Sequence, residues 1–146
     1  MNFKVVYNNC YGEFGVSELA LKEYNMRTNK NITHGRSIDR FDTTLIELVE
    51  TLGDNVNDTN SKLKIMEIPI KYRAFIDIEE YDGLQIVRIN YNRYMIYHMN
   101  CIKDNNMMSS DEKMVAIQNL FNEYDARPKT IGDIWNKEKE EKYACV

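Results

Sequence analysis

Apolar residues recur along the chain at the spacings of strands and helices, and the pattern predicts an α+β fold. Residues 3–7 (FKVVY) carry apolar side chains on both faces, which is typical of a strand in the middle of its sheet. Gly12 and Gly15 then allow backbone angles that other residues resist. Ser17 suits the N-cap of a short helix that ends near Asn25. The chain therefore begins with a strand, a glycine turn and a helix.

The clearest helix covers residues 42–52, where Asp42 suits the N-cap and Gly53 the position after the last turn. Its apolar stripe consists of Leu45, Leu48, Val49 and Leu52. A strand over residues 62–68 follows and ends at Pro69. A third helix begins after Ser109, which forms a capping box with Glu112. The core face expected for this third helix consists of Met114, Ile117, Leu120, Phe121 and Tyr124.

The strongest local signal is Asp82-Gly83, a dipeptide typical of two-residue hairpin turns. It predicts strands over residues 72–81 and 84–97, followed by a loop over residues 100–108. The register pairs Ile78 with Val87, Ile76 with Ile89, Ala74 with Tyr91, and Asp77 with Arg88. We therefore expect one α+β domain over residues 1–128, with a small, mostly antiparallel sheet of about four strands and about three helices packed on it. Residues 129–146 are expected to form a C-terminal helix or tail.

Composition narrows the class of protein. The chain has 146 residues and a net charge of −4, which makes nucleic-acid binding unlikely and gives no attraction to an anionic membrane. No apolar run approaches the roughly 20 residues of a membrane span. The three cysteines are scattered, so we expect no disulfide framework and a cytoplasmic location. An exposed edge strand would favour a homo-oligomer, because assembly would cover it.

Four motifs occur in order along the chain: CYGEFGVS, RSIDRFDTTLIELVETLG, KLKIMEIP and IEEYDG. They resemble those of a family of small proteins from phages and large DNA viruses. Its members typically have CYGGFGLS, an Arg-x-Asp-Pro segment that opens a helix ending EELG, KLKIVEIP and IEEYDG. The resemblance covers roughly residues 2–88 and implies the family's fold and a viral source, with the host cytoplasm as location. Two positions depart from the family pattern: Glu13 replaces the second glycine of the loop, and Thr43 replaces a proline.

The glycine turn is the candidate binding site. A strand that leads through glycines to a helix N-terminus brings together free N–H groups and the positive end of the helix dipole, which favours a phosphate or carboxylate. Tyr11 and Phe14 could stack on a base, and Asn8 and Asn9 could bind its polar edge. The alternative is that these residues only form the turn. The candidate ligand-binding residues are Asn8, Asn9, Tyr11, Gly12, Phe14, Gly15, Ser17, Arg36 and Arg40.

No catalytic or metal-binding set is expected. His98 and Cys101 form a single H-x-x-C pair, whereas a structural zinc site normally has two close pairs. The carboxylates Glu79, Glu80 and Asp82 have no neighbouring histidine that would mark an acid–base pair. We therefore expect no cofactor, and the sequence favours a binding role over an enzymatic one.

Three functions fit these features. The first is a non-enzymatic viral accessory protein that binds a small phosphorylated or nucleotide ligand and sequesters a signal of the host's antiviral defence. The second is an interaction module that inhibits a host enzyme, for which the contact residues would be Trp135, Met107, Met108 and Tyr143. The third is a small nucleotide-processing enzyme.

Overall fold

The fold is α+β, as the sequence predicts, and its strands form two separate sheets. A computed structural model describes residues 1–127. The strands are β1 (Asn2–Asn8), β2 (Leu63–Pro69), β3 (Ile76–Tyr81) and β4 (Leu84–Ile89). The helices are α1 (Glu18–Thr28), α2 (Thr43–Leu52), α3 (Tyr91–Lys103) and α4 (Ser110–Asp125). β1 pairs with β2 and β3 pairs with β4, both antiparallel, so the expectation of one four-stranded sheet is wrong.

The β1–β2 sheet separates two apolar cores. Val6 belongs to the core formed with α1 and α2, whereas its neighbour Val5 belongs to the core formed with β4, α3 and α4. Both are fully buried. β1 is therefore buried on both faces, as its sequence predicts, because helices or the β3–β4 hairpin cover each face. It is not central in a sheet, since β2 is its only hydrogen-bonded neighbour strand among the residues described.

The first two helices begin at the predicted caps. The Ser17 hydroxyl accepts a hydrogen bond from the N–H of Ala20, and the Asp42 carboxylate accepts one from the N–H of Leu45. α1 ends at Thr28, one turn later than predicted. The other Asp42 oxygen accepts a hydrogen bond from the hydroxyl of Tyr24 at 2.9 Å, which joins the two helices.

The β3–β4 hairpin confirms most of the predicted register. Asp77 lies opposite Arg88, and the two apolar pairs nearest the turn, Ile78–Val87 and Ile76–Ile89, are also as predicted. The charged pairing differs, because the Arg88 guanidinium contacts Glu79 at 3.2 Å. The predicted Ala74–Tyr91 pair is wrong. Residues Ile70–Phe75 form a 3-10 turn, and α3 begins at Tyr91, where strand was predicted.

α4 begins at the predicted N-cap Ser109, and the carboxylate of Glu123 joins it to neighbouring elements. Glu123 Oε1 accepts hydrogen bonds from Lys71 at 2.6 Å and from the hydroxyls of Tyr72 and Tyr94 at 3.1 Å each. Burial raises the pKa of Tyr94 to about 12, and the carboxylate contributes to the shift. This cluster joins α4 to α3 and to the turn before β3.

The apolar face of α4 is less buried than predicted. Leu120 is buried, but Phe121 is 44% exposed and Met114 is 69% exposed. Phe121 lines a groove between α3 and α4 together with Ile96, which is also exposed. None of the helices in residues 1–127 is long and apolar enough to cross a membrane.

Cys10 is disulfide-bonded, contrary to the expectation from the scattered cysteines, and Cys101 is free and exposed.

Candidate ligand groove at the glycine turn

Asn8, a predicted base-reading residue, is instead the joint between three chain segments. Its side chain is fully buried. Its Nδ2 donates to the carbonyl of Gly83 at 2.8 Å and to that of Cys10 at 3.2 Å, and its Oδ1 accepts from the N–H of Lys62 at 2.8 Å. With donors and acceptor all engaged in the interior, this amide holds the turn to the hairpin and to β2, and it presents no surface to a ligand.

The start of the turn packs on the β3–β4 hairpin. Gly12 N–H donates to the carbonyl of Asp82 at 2.9 Å. Gly83 has φ +84°, and a Cβ there would overlap the Gly12 carbonyl, so only glycine fits. Tyr11 packs edge-on against Tyr81, with ring centroids 6.3 Å apart. Asn9 is bound through its backbone, whose N–H donates to Lys62 at 2.8 Å. These contacts attach the turn to the β3–β4 hairpin and to Lys62, the residue before β2.

Arg40 is a structural residue in this arrangement. Its guanidinium stacks on the ring of Phe14, with 3.2 Å from Cζ to the ring centroid. One terminal nitrogen donates to the carbonyls of Ile38 at 2.7 Å and Arg36 at 3.2 Å. Burial lowers the pKa of Arg40. Arg40, a predicted ligand-binding residue, therefore binds the backbone of the loop that carries it.

The N-terminus of α1 is partly covered. Besides capping the helix, the Ser17 hydroxyl donates to the carbonyl of Asn55 at 2.7 Å, and Ser17 N–H donates to that of Val56 at 2.8 Å. Both carbonyls belong to the 3-10 turn Gly53–Val56, which follows α2. Ser17 is thus a cap and a junction between two elements, and its hydroxyl is engaged by the backbone on both sides.

A groove of about 440 Å³ lies beside this covered helix end. We call it the turn groove. It is lined by Glu13, Phe14, Gly15, Val16, Glu18, Leu21, Thr33, His34, Gly35, Arg36 and Asp58. Of the nine predicted residues, Phe14, Gly15 and Arg36 line it. The exposed side chain of Arg36 forms an ion pair with Glu13 at 3.0 Å. The glycine turn and the loop before α2 therefore do meet, as the sequence suggests, and Arg36 is the cation at their meeting point.

The turn groove is more acidic than the sequence suggests. Asp58 and Glu18 line it as well, and neither has an ion-pair partner within the described part of the chain. Asp58 lies so close to Gly15 that a Cβ at Gly15 would overlap its carboxylate. Sequence reasoning missed Asp58 because it comes from a polar loop far along the chain, and no spacing rule links it to the turn. These carboxylates disfavour a multiply charged anion at the helix N-terminus.

The side chains considered for chemistry lie apart or are engaged. No group of three His, Cys, Asp or Glu residues within positions 1–127 is placed to hold a metal ion. His98 packs among aromatic rings, with its centroid 4.3 Å from that of Tyr94. Arg88 neutralises Glu79 at the hairpin. Met107 is 91% exposed, whereas Trp135 and Tyr143, two other predicted contact residues, lie outside the described residues.

Comparisons with known proteins give no relative: no family model, curated protein or solved structure matches the chain. The function is therefore argued from the chemistry of the turn groove. The phage and large-virus resemblance of the four motifs stays a prediction.

Proposed function

We propose that the protein is a non-enzymatic binding protein that holds a small nucleotide-type ligand in the turn groove. The observation that carries this proposal is one arginine and two unpaired carboxylates around a groove of about 440 Å³. Small-molecule sites typically enclose about 300–1,000 Å³, so a mononucleotide matches the groove in size. Val16 and Leu21 supply apolar surface beside the charged groups.

The charges define the ligand further. Carboxylates such as Asp58 and Glu18 accept hydrogen bonds from ribose hydroxyls or from a base amine, which is a common use of acidic residues in nucleotide sites. Arg36 can leave Glu13 for a phosphate, because an exposed ion pair is worth only about 0–1 kcal/mol. The same carboxylates repel a triphosphate. The ligand we propose is therefore a nucleoside that carries a single phosphate.

The biological part of the proposal rests on the sequence motifs. The protein would belong to a phage or large DNA virus and act in the host cytoplasm, where it would withhold a nucleotide signal of antiviral defence. Sequestration requires affinity and no chemistry, so binding in the turn groove is sufficient for it.

Titration calorimetry with adenosine, AMP and ATP tests the groove. We expect AMP to bind more tightly than adenosine and at least tenfold more tightly than ATP. Arg36→Ala should weaken AMP binding about tenfold or more and leave adenosine binding unchanged, because a charge-assisted hydrogen bond contributes about 1.5–3 kcal/mol. Arg27→Ala is the matched control, since Arg27 is also an exposed arginine with a glutamate partner.

Asp58→Asn tests the role of the carboxylates that line the turn groove. In the native protein the N–H of Asn60 donates to Asp58 Oδ1 at 2.7 Å. An asparagine oxygen can still accept this hydrogen bond, whereas the negative charge is lost. We expect weaker binding of adenosine and AMP alike, with Asp104→Asn as an exposed control. The proposal fails if none of the three compounds binds, or if both groove variants bind as the parent does. Recovery of intact AMP from denatured complex distinguishes binding from turnover.

A further inference from the structure

One edge of strand β1 is hydrogen-bonded only at the C-terminal end of the strand. Val6 N–H donates to the carbonyl of Arg40 at 2.9 Å, and Asn8 N–H donates to the side chain of Gln85 at 3.0 Å. Both bonds point away from β2. Backbone groups two residues apart point to the same side of a strand, so Asn2 and Lys4 also face away from β2. Neither has a backbone partner there in the described part of the chain. Residues 2–4 of β1 thus form an open edge.

A groove of about 370 Å³ runs along this open edge. β1 contributes Asn2, Phe3 and Lys4, and the opposite wall contains Phe41 and Ile46. The rings of Phe3 and Phe41 lie 5.8 Å apart at their centroids. Unpaired backbone donors and acceptors beside apolar side chains are what strand addition requires, because the backbone bonds supply affinity and side-chain pockets supply specificity.

The charges around the open edge leave one cation unpaired. Lys4 is paired with Glu50, and Glu47 with Arg27 at 3.9 Å. Arg73 lines the groove, with its guanidinium 5.9 Å from the ring centroid of Phe3. It has no ion-pair partner among residues 1–127. An occupant with a carboxylate complements this site.

We propose that the open edge of β1 binds an extended peptide segment of another protein, which adds as a strand beside residues 2–4. The segment would place an apolar side chain against Phe3 and Phe41 and a carboxylate beside Arg73. A second copy of the chain is a poorer occupant, because antiparallel pairing of two β1 edges about Phe3 would bring two unpaired Arg73 side chains to the same face. This site is separate from the turn groove and does not depend on its ligand.

The test uses a random seven-residue peptide library displayed on phage and selected against the full chain. We expect enriched peptides to combine apolar residues with Asp or Glu. A synthetic, end-blocked consensus peptide is then measured by fluorescence anisotropy against two variants at one position. Lys4→Ala removes the side chain and keeps the N–H, whereas Lys4→Pro removes both. Proline is tolerated at an edge where the N–H faces outward.

We expect Lys4→Ala to bind the consensus peptide within about twofold of the parent, and Lys4→Pro to bind it at least tenfold more weakly, with unchanged circular dichroism. Should Lys4→Pro fail to fold, Arg73→Glu provides the second test, with an expected loss of at least tenfold. Equal binding by all variants, or no enriched peptide, overturns the proposal. A dimer in sedimentation that Lys4→Pro dissociates also overturns it, since the second copy would then occupy the edge. Arg36→Ala should leave peptide binding unchanged.

Discussion

Replacing Asn8 by alanine should destabilise the whole fold, although the residue lies next to a turn. Its side chain takes part in three hydrogen bonds with backbone groups, those of Cys10, Gly83 and Lys62. Each bond contributes about 1 kcal/mol net, so Asn8→Ala should lower the free energy of unfolding by about 3 kcal/mol. That is a large share of the about 5–15 kcal/mol typical of a domain. Urea unfolding followed by circular dichroism measures the loss.

The neighbouring residue provides the control. Asn9 has the same side chain and is bound through its backbone N–H, which alanine keeps. Asn9→Ala should therefore change the free energy of unfolding by about 0.5 kcal/mol or less. A loss below about 1 kcal/mol for Asn8→Ala, or equal losses for both variants, would refute the reasoning that Asn8 is a joint.

Two further substitutions test other junctions. Gly83→Ala should cost several kcal/mol or prevent folding, because a Cβ would overlap the Gly12 carbonyl. Gly53→Ala, also at positive φ but in open space, should cost only backbone strain of about 1–3 kcal/mol, and both are measured by thermal melting. Burial alone would raise the pKa of Glu123, but hydrogen bonds from Lys71 and tyrosines outweigh it and lower the pKa. The carboxylate therefore stabilises the fold above its unfolded pKa of about 4.3, and this contribution is lost as the pH falls through its lower folded pKa. Glu123→Gln should lower stability at pH 7 and flatten that acid-side loss, measured by urea titrations from pH 3 to pH 7; an unchanged pH profile would contradict the assignment.

Local sequence signals predicted the helix starts and the hairpin correctly, because the contacts that define them join residues only a few positions apart. Caps such as Ser17, Asp42 and Ser109 act through backbone groups a few residues away, so the sequence contains both partners. The same holds for the hairpin, whose two-residue turn fixes the register near it. Each of these predictions is confirmed by a hydrogen bond or a strand pairing.

Helix α3 was missed because the predicted strand after the hairpin turn was continued to residue 97, beyond the end of β4 at Ile89. Tyrosine and isoleucine favour strands, and four of them occur in residues 91–97, directly after β4. Yet Asn90 accepts a hydrogen bond from the N–H of Arg93 and caps α3. Tyr91, Tyr94 and Met95 then recur at helical spacing toward the core. An N-cap and a change of period were both present in the sequence.

The composition of the turn groove could not be predicted from spacing. Arg36 and Asp58 come from separate loops, and only the packing of α1 against the turn after α2 brings them together. The role of Arg40 was missed for a related reason. Its stacking on Phe14 spans 26 positions of sequence, and no local spacing rule links an arginine to a ring at that distance.

At the two central valines of β1, burial on both faces leaves hydrophobicity unable to distinguish one register from the next. Sliding the strand by one residue would exchange the faces of Val5 and Val6, and either valine suits either core. Asn8 resolves this degeneracy, because an unmatched amide in the interior is costly and its three partners exist in one alignment only. The residue thus selects a single native pairing. A chain that lacks it should sample shifted pairings, visible as broadened or doubled amide resonances from β1 and β2.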